Sequence, residues 1–182
     1  MIKIELVHEF ELEPYIKVQI SALLKRCFPE EDFNSRTYFK QHPHSRLLLS
    51  KDDVLIGQLG LDYRVMNLNG KPIHVLGIID LAIFPEYQGQ GYASRLIHYL
   101  NDLAFNWSHN IDFLFLYSEE TAFYEKFGFS PVSISVEWLA MQEHRHYGVM
   151  IEKIHKGLMY KPVVGQKIWP EDRKLDLLGY FY

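Results

Sequence analysis

Few folds can accommodate the stretch of chain between residues 73 and 107. Residues 73–84 are apolar on both faces apart from one charge at Asp80, a pattern typical of a central strand. Two glycines, Gly89 and Gly91, then precede apolar residues at helical spacing that continue to about Trp107. The sequence therefore predicts a strand, a glycine loop and a long helix in direct succession.

The segments before this unit predict a small sheet with one covering helix. Residues 2–7 alternate between apolar and charged side chains, which indicates an opening strand. Apolar residues recur at helical spacing over 11–28, and a proline follows where that helix must stop. Apolar runs at 46–50, 54–66 and 73–84 are separated by turn residues, so we expect them to form an antiparallel meander.

The segments after the long helix predict further strands and one short helix. Strands are expected at 111–117 and near 130–139 and 145–154, with a short helix at 119–127 that Gly128 can terminate. Beyond Gly157 the periodicity is lost, although five aromatic residues follow residue 159. We interpret this part as a C-terminal tail that packs on the domain, because so many rings are unusual in a disordered segment.

Composition excludes several classes of partner. The 182 residues suit one domain with a substantial core, and 48% hydrophobic with 23% charged residues is usual for a globular protein. A net charge of −4 provides no basic field for nucleic acid. Cys27 is the single cysteine, so no internal disulfide can form, and we expect the protein in a reducing compartment. The sequence shows neither a signal peptide nor an apolar run long enough for a membrane span, and we expect a cytoplasmic protein.

The glycine loop has the chemistry of an anion site. Backbone N–H groups at a helix N-terminus point outward at the positive end of the helix dipole, and glycines remove side chains that would block a phosphate. A dinucleotide-binding loop is disfavoured because Ser94 stands where the third glycine would be and repeated βαβ units are missing. A Walker loop is excluded because no Gly-Lys-Ser/Thr sequence is present. A tight strand-to-helix turn without a ligand remains an alternative.

Two motifs in the expected order resemble the GNAT superfamily of acetyl-CoA-dependent N-acetyltransferases. The stretch Leu81–Ala93 is similar to the family's strand, Pro and Gln/Arg-x-x-Gly-x-Gly/Ala loop, and Phe123–Phe129 is similar to its Tyr-Glu-Lys-Leu-Gly-Phe block. The resemblance covers residues 1–155 and leaves 156–182 as a C-terminal extension. It implies an α+β fold, with a central mixed, mostly antiparallel sheet flanked by helices.

The resemblance also implies where the coenzyme binds. In the family, the strand before the loop pairs with the pantetheine arm as if with another strand, which implies this role for Leu81, Ala82 and Ile83. Backbone amides of the loop and the first helical turn hold the pyrophosphate, with a hydroxyl nearby. In this sequence the implied residues are Gln88, Gly89, Gln90, Gly91, Tyr92, Ala93 and Ser94.

Three side chains are candidates for the chemistry. Tyr124 matches the family tyrosine that sits beside the sulfur and can protonate it, although a packed ring is the alternative. Asp80 is the sole carboxylate of an apolar strand, where desolvation would raise its pKa, and it is one candidate base. Glu120, directly or through water, is another, although it and Glu119 could instead serve only to stabilise a helix N-terminus. Ordered water alone is a further alternative.

The remaining expectations concern metals, partners and the acceptor. The pairs His42/His44 and His144/His146 have strand spacing, but we expect no metal site, because no cysteine lies near either pair in the sequence. We expect acetyl-CoA and an amine as substrates, no nucleic acid or membrane partner, and an oligomeric state that could be a homodimer. A non-catalytic acyl-CoA sensor of the same fold is the alternative function. A further hypothesis places the aromatic C-terminus at the acceptor pocket.

Overall fold

The structure is a computed structural model that describes residues 1–31, 33–165, 169 and 174–182. By its internal contacts the chain divides into two compact units. The first comprises Met1–Asp62 and Ile78–Asn101, and the second comprises Tyr63–Gly77 and Asp102–Tyr182. Two long strands and one helix contribute residues to both units: β3 (Val54–Leu68), β4 (Lys71–Ile83) and α2 (Tyr92–Asn106).

In the first unit, an antiparallel ladder is covered by one amphipathic helix. β1 (Ile2–His8) pairs with β2 (Ser45–Lys51), and β2 pairs with β3. The register shifts once between Leu49 and Ser50 of β2, where Ile56 of β3 is the extra residue. α1 (Pro14–Cys27) starts with a proline, whose fixed φ suits the first helical position. Its apolar face packs in a buried cluster with the strands. The helix supplies Ile20, Leu23 and Leu24, and the strands supply Leu48, Leu55 and Ala82.

The second unit is a curled mixed sheet. Its strands after α2 are β5 (Phe113–Tyr117), β6 (Ser130–Pro131), β7 (Ile134–Gln142), β8 (Arg145–Ile154), β9 (Leu158–Pro162) and β10 (Lys174–Tyr180). Hydrogen-bonded neighbours follow the order β6-β9-β5-β4-β3-β10-β7-β8. β4 with β5 and β10 with β7 are parallel, whereas β5 with β9 and β7 with β8 are antiparallel. β6 and β7 lie far apart in this order, yet only residues 132 and 133 connect them along the chain. The sheet must therefore curl strongly to bring the two strands close together.

An aromatic core fills the second unit. Trp169 is 2% exposed and packs between the ring edge of Phe113 and the stacked ring of Phe115, at centroid distances of 5.1 and 5.9 Å. Leu175 and Leu177 of β10 join the same cluster. Burial of large apolar side chains supplies the main stabilisation of such a unit.

The predicted fold class is confirmed: the sheet is mixed and mostly antiparallel, and α1, α2 and the short helix α3 (Thr121–Glu125) accompany it. The last part of the chain is more regular than the expected tail. Within 156–182, β9 pairs with β5, and β10 lies between β3 and β7. The alternation of Leu175 and Leu177 is short, and its partner strands are distant in sequence, so periodicity alone gave little sign of this strand.

Candidate functional site

The end of β4 carries a left-handed residue, Asp80, with φ of 49°. Beyond it the backbone directions can be derived from neighbouring contacts. The N–H of Phe84 donates to the Ile56 carbonyl of β3 at 2.9 Å. Because successive residues of a strand point their N–H and C=O groups to opposite edges, those of Leu81 and Ile83 point away from β3. This is the orientation that the predicted pairing with pantetheine requires.

The glycine loop is fastened to this strand by the side chain of Gln88. Its Nε2 donates to the Ile83 carbonyl at 2.8 Å, while its backbone N–H donates to the Pro85 carbonyl at 3.2 Å. The backbone N–H of Gln88 thus already has an acceptor within the loop. Its predicted role at a pyrophosphate stays a prediction. Gln90 adds a second anchor, from its Nε2 to the Glu86 carbonyl at 3.1 Å.

Gly89 and Gly91 both adopt left-handed backbone conformations, with φ of 72° and 80°. A Cβ built on either glycine would meet no atom within 4 Å, so conformation and not space explains the glycines. The structure describes every residue of this loop. None of its backbone–backbone hydrogen bonds is donated by the N–H group of Gly89, Gln90 or Gly91. α2 begins at Tyr92, and its first turn adds the N–H groups of Ala93 and Ser94 to this row of donors.

Cationic side chains lie beside the loop. The Lys51 ammonium is 5.6 Å from the ring centre of Tyr87, and the Arg95 guanidinium is 5.7 Å from that of Tyr92. The two tyrosine rings contact each other edge to face at 6.3 Å. Positive charges at the positive end of a helix dipole favour an anionic ligand there.

Asp80 sits in a polar cluster of the first unit. The residue keeps some accessible surface, but its carboxyl group is desolvated, and burial raises the pKa of Asp80 to about 6. Glu31 adds to the rise in pKa, whereas Arg46 and Lys40 oppose it. At neutral pH the carboxyl is thus mainly ionised and can accept a proton.

Three further residues complete this cluster, and none of them is predicted from the sequence as a site residue: Glu9, Arg46 and Gln58. Arg46 and Gln58 are completely buried. Arg46 Nε donates to Glu9 Oε2 at 2.6 Å and Nη1 donates to Gln58 Oε1 at 2.8 Å. In the sequence, Arg46 is one polar residue beside an apolar run, and Gln58 is one polar residue within another. A single charge at the end of a strand normally lies in solvent, so that signal is weak.

Tyr124 lies on α3 in the second unit. Its side chain is 7% exposed, and its ring meets those of Phe123 and Phe129 edge to face. Burial, reinforced by the charge of Glu120, raises the pKa of Tyr124 to about 12. Its hydroxyl therefore stays protonated at physiological pH and can serve as a proton donor.

Glu120 precedes the first residue of α3 and is exposed. Its backbone N–H donates to Ser118 Oγ at 3.1 Å, and its side chain makes no capping hydrogen bond. The second unit also contains an open cleft of about 410 Å³ between the end of β5 and the start of β9. Neither Glu120 nor Tyr124 lines this cleft.

His42, His44 and Cys27 each have a structural partner. His42 Nδ1 lies 2.8 Å from Glu9 Oε1, and His44 Nδ1 lies 3.0 Å from Asp62 Oδ1, so both imidazoles face carboxylates that the sequence did not place beside them. Cys27 Sγ donates to the Ile83 carbonyl at 3.2 Å, and burial raises the pKa of its thiol. Over the described ranges, no three metal-ligating side chains converge, and no helix is both long and apolar enough to cross a bilayer.

A family sequence profile described as an acetyltransferase (GNAT) domain matches residues 4–132. The chain belongs to the GNAT acetyltransferase family. No curated protein matches it significantly. The profile ends before β7, so the hairpin β7–β8 and the last two strands lie outside the matched region.

Solved structures show the same fold at low sequence identity. A GNAT family N-acetyltransferase (YhbS) from Escherichia coli in complex with CoA is 16% identical, with a TM-score of 0.62 over 97% of this chain and 88% of that one. A GCN5-related N-acetyltransferase from Anabaena variabilis is 21% identical, with a TM-score of 0.61 over 73% of this chain. An IAA acetyltransferase from Bacillus cereus is 17% identical, with a TM-score of 0.55 over 89% of this chain and 99% of that one.

The relatives differ in length. This GNAT chain spans 33% of the Anabaena variabilis protein and the same share of a structural relative from Enterococcus faecalis. The family profile and the solved structures together show that the chain has the fold of a GNAT acetyltransferase domain. The predicted α+β GNAT architecture is confirmed. Acyl transfer is the chemistry that this family membership indicates.

Proposed function

We propose that the protein transfers an acetyl group from acetyl-CoA to a primary amine of a small molecule or peptide. The observation that carries the proposal is the conformation of the loop between β4 and α2. Gly89 and Gly91 are both left-handed, and backbone donors from this loop and the first turn of α2 are available to an anion. Such a row of N–H groups at a helix N-terminus suits a pyrophosphate.

The edge of β4 supports a place for the pantetheine arm. The N–H and C=O groups of Leu81 and Ile83 point away from β3, as derived from the bond between Phe84 and Ile56. The Ile83 carbonyl already accepts from Gln88 and Cys27. We therefore assign the Ile83 N–H and the Leu81 groups to the coenzyme, with Ala82 between them facing β3.

Two protonation states support direct attack by the amine. The amine must lose a proton to become a nucleophile, and the departing thiolate must gain one. Asp80 is the base that the electrostatics favour, since its pKa of about 6 leaves it ionised at neutral pH. Tyr124, with a pKa of about 12, is the proton donor. Glu120 is the less favoured base, because it is exposed and its charge acts on Tyr124.

Calorimetry with acetyl-CoA, followed by a thiol-release assay over an amine panel, tests the proposal. The panel should contain small mono- and diamines, amino acids and peptides with a free N-terminus. We expect saturable binding of acetyl-CoA and release of CoA only when an accepted amine is present. Binding without turnover on any amine would favour an acyl-CoA sensor, and failure to bind acetyl-CoA would contradict both functions.

A further inference from the structure

The buried guanidinium of Arg46 lies at the centre of the polar cluster beside the left-handed turn that β4 makes at Asp80. Arg46 on β2 is completely inaccessible and makes three charge-assisted hydrogen bonds: to Glu9 Oε2 at 2.6 Å, to Gln58 Oε1 at 2.8 Å and to the Thr37 carbonyl at 2.6 Å. A charge can be buried only when it is paired and hydrogen-bonded. A cluster of this kind is rigid, because moving one member leaves another unsatisfied.

One branch of the cluster reaches the backbone of Asp80. Gln58 is also completely buried, and while its Oε1 accepts from Arg46, its Nε2 donates to the Asp80 carbonyl at 2.5 Å. Asp80 has φ of 49°, a strained conformation that non-glycine residues adopt mainly when the surrounding structure imposes it. The amide of Gln58 is a contact able to impose it.

β3 is shaped to approach β4 closely around this turn. A Cβ on Gly60 would lie 3.2 Å from the Ile79 carbonyl oxygen, and a Cβ on Gly57 would lie 2.9 Å from the Ala82 carbonyl oxygen. The two glycines therefore flank the turn with close backbone contacts. Gln58 stands between them and supplies the side-chain bond.

We propose that Arg46 and Gln58 are positioning residues for acetyl transfer, which fix the left-handed turn at Asp80 and thereby aim its carboxyl group and the edge of β4 beyond it. The inference rests on the proposed function, in which Asp80 is the base and Leu81 and Ile83 hold pantetheine. Neither Arg46 nor Gln58 touches a substrate in this assignment. Arg46 acts through Gln58, and Gln58 acts through the Asp80 backbone.

Charge in the cluster is nearly balanced. Hydrogen bonds from Arg46 and His42 outweigh the effect of burial and hold the pKa of Glu9 below its usual value, so Glu9 stays ionised and neutralises Arg46. The charged groups that act on the Asp80 carboxyl are Arg46 from β2, and Glu31 and Lys40 from the segment between α1 and β2. A negative charge introduced at position 58 would lie against Arg46 and would therefore weaken the effect by which Arg46 lowers the pKa of Asp80.

Gln58→Glu is the decisive variant. A glutamate can still accept from Arg46 but cannot donate to the Asp80 carbonyl at neutral pH. We expect kcat to fall at least about tenfold, because small misplacements of a reacting group are costly. The rate should fall at low pH as Asp80, the proposed base, becomes protonated, and we call this fall the acid limb of the pH–rate profile. In Gln58→Glu the acid limb should move to higher pH, since a nearby negative charge favours protonated Asp80. Gln58→Met, which lacks both the donor and the charge, should lower kcat without the charge-driven displacement of that limb.

Thr37→Val is the matched control in the same cluster. It removes the hydroxyl that donates to Glu9 at 3.3 Å and keeps the backbone carbonyl that accepts from Arg46. We expect its kcat and its acid limb to equal those of the parent. Circular dichroism and thermal unfolding should accompany each variant, so that a loss of folded protein is recognised.

Affinity for acetyl-CoA provides a readout that does not depend on turnover. If the turn aims the β4 edge, Gln58→Met should weaken acetyl-CoA binding by about fivefold, the equivalent of one lost hydrogen bond, whereas Thr37→Val should not. Folded Gln58 variants with the parental kcat, acid limb and acetyl-CoA affinity would overturn the positioning role. A parent protein that binds acetyl-CoA but acetylates no amine would instead contradict the proposed transfer, while the affinity comparison would still decide the role of Gln58.

Discussion

Asp80 and Tyr124 are both held away from bulk water, and burial raises the pKa of each, to about 6 and to about 12. The consequences for catalysis differ because the two groups start from different ordinary values. Asp80 remains mainly ionised at pH 7.5 and can take a proton, while Tyr124 remains protonated and can give one. Removal of either group therefore tests a different half of the proton transfer.

Asp80→Asn should separate stability from activity. The pKa of Asp80 is higher in the folded than in the unfolded chain, so its ionisation destabilises the fold progressively as pH rises from about 4 to about 6 and fully above that range. We expect the variant to be more stable than the parent by about 3 kcal/mol at pH 7.5 and nearly equal to it at pH 3.5, as measured by denaturant unfolding. Its activity should fall, and the acid limb near pH 6 should disappear. Equal stability at both pH values would contradict the desolvation of this carboxyl.

Tyr124→Phe removes one hydroxyl from a ring that is otherwise well packed. We expect kcat to fall by about 100-fold, within the range for general acid catalysis, with little change in the KM for acetyl-CoA. Steady-state thiol release measures both constants. Tyr147→Phe, which alters an exposed ring on β8, is the control and should behave as the parent. A parental kcat for Tyr124→Phe would assign the ring to packing alone.

At the scale of elements, the loop between β4 and α2 is defined by backbone conformation. Gly91 has φ of 80° and open space around it, and Gly70, in the turn between β3 and β4, has φ of 81° and equally open space. The two glycines are subject to the same strain on substitution but lie at different places in the fold.

Gly91→Ala and Gly70→Ala therefore form a matched pair. Each should destabilise the protein by about 1 kcal/mol, because alanine is strained at positive φ. Only Gly91→Ala should also weaken acetyl-CoA binding, since a strained loop no longer presents its N–H groups in one arrangement. Thermal unfolding and calorimetry measure the two effects. An equal loss of affinity in both variants would show that the loop has no special part in coenzyme binding.

Much of this element pattern could be predicted from the sequence. The apolar character of both faces of residues 73–84 predicts a central strand, and β4 is indeed paired on both sides, by β3 and β5. The loop and α2 follow as predicted, because glycines and helical spacing are local signals. The burial of Arg46 could not be predicted, since its partners Glu9, Thr37 and Gln58 come from three separate segments. The left-handed turn at Asp80 has only a weak local sign, because aspartate adopts positive φ more often than most residues but seldom does so within a strand.

At the scale of the whole molecule, the end of the chain belongs to the sheet. β10 pairs with both β3 and β7, and Leu175 and Leu177 are buried in the aromatic core of the second unit. Tyr182 lies against Gly77, where a Cβ would collide with its ring. The hypothesis that the aromatic C-terminus lines an acceptor pocket thus meets a competing structural role, in which these residues fill the core.

Removal of residues 174–182 should consequently abolish cooperative unfolding of the second unit, because it exposes two strand edges and opens the core. Differential scanning calorimetry and near-ultraviolet circular dichroism would detect this loss. We expect no selective increase in the KM for the amine. A truncated protein that unfolds at the parental temperature and binds acetyl-CoA normally, but has a raised acceptor KM, would restore the pocket hypothesis.

The thiol of Cys27 offers a chemical report on the end of β4. It is the only sulfhydryl in the chain, and it donates to the same Ile83 carbonyl that accepts from Gln88. Alkylation of Cys27 should be slow while this arrangement holds and faster when the β4 end loosens, as thiolate formation and access both increase. The rate of maleimide labelling, followed by intact mass spectrometry, thus gives a single-site footprint of the strand that we assign to the coenzyme.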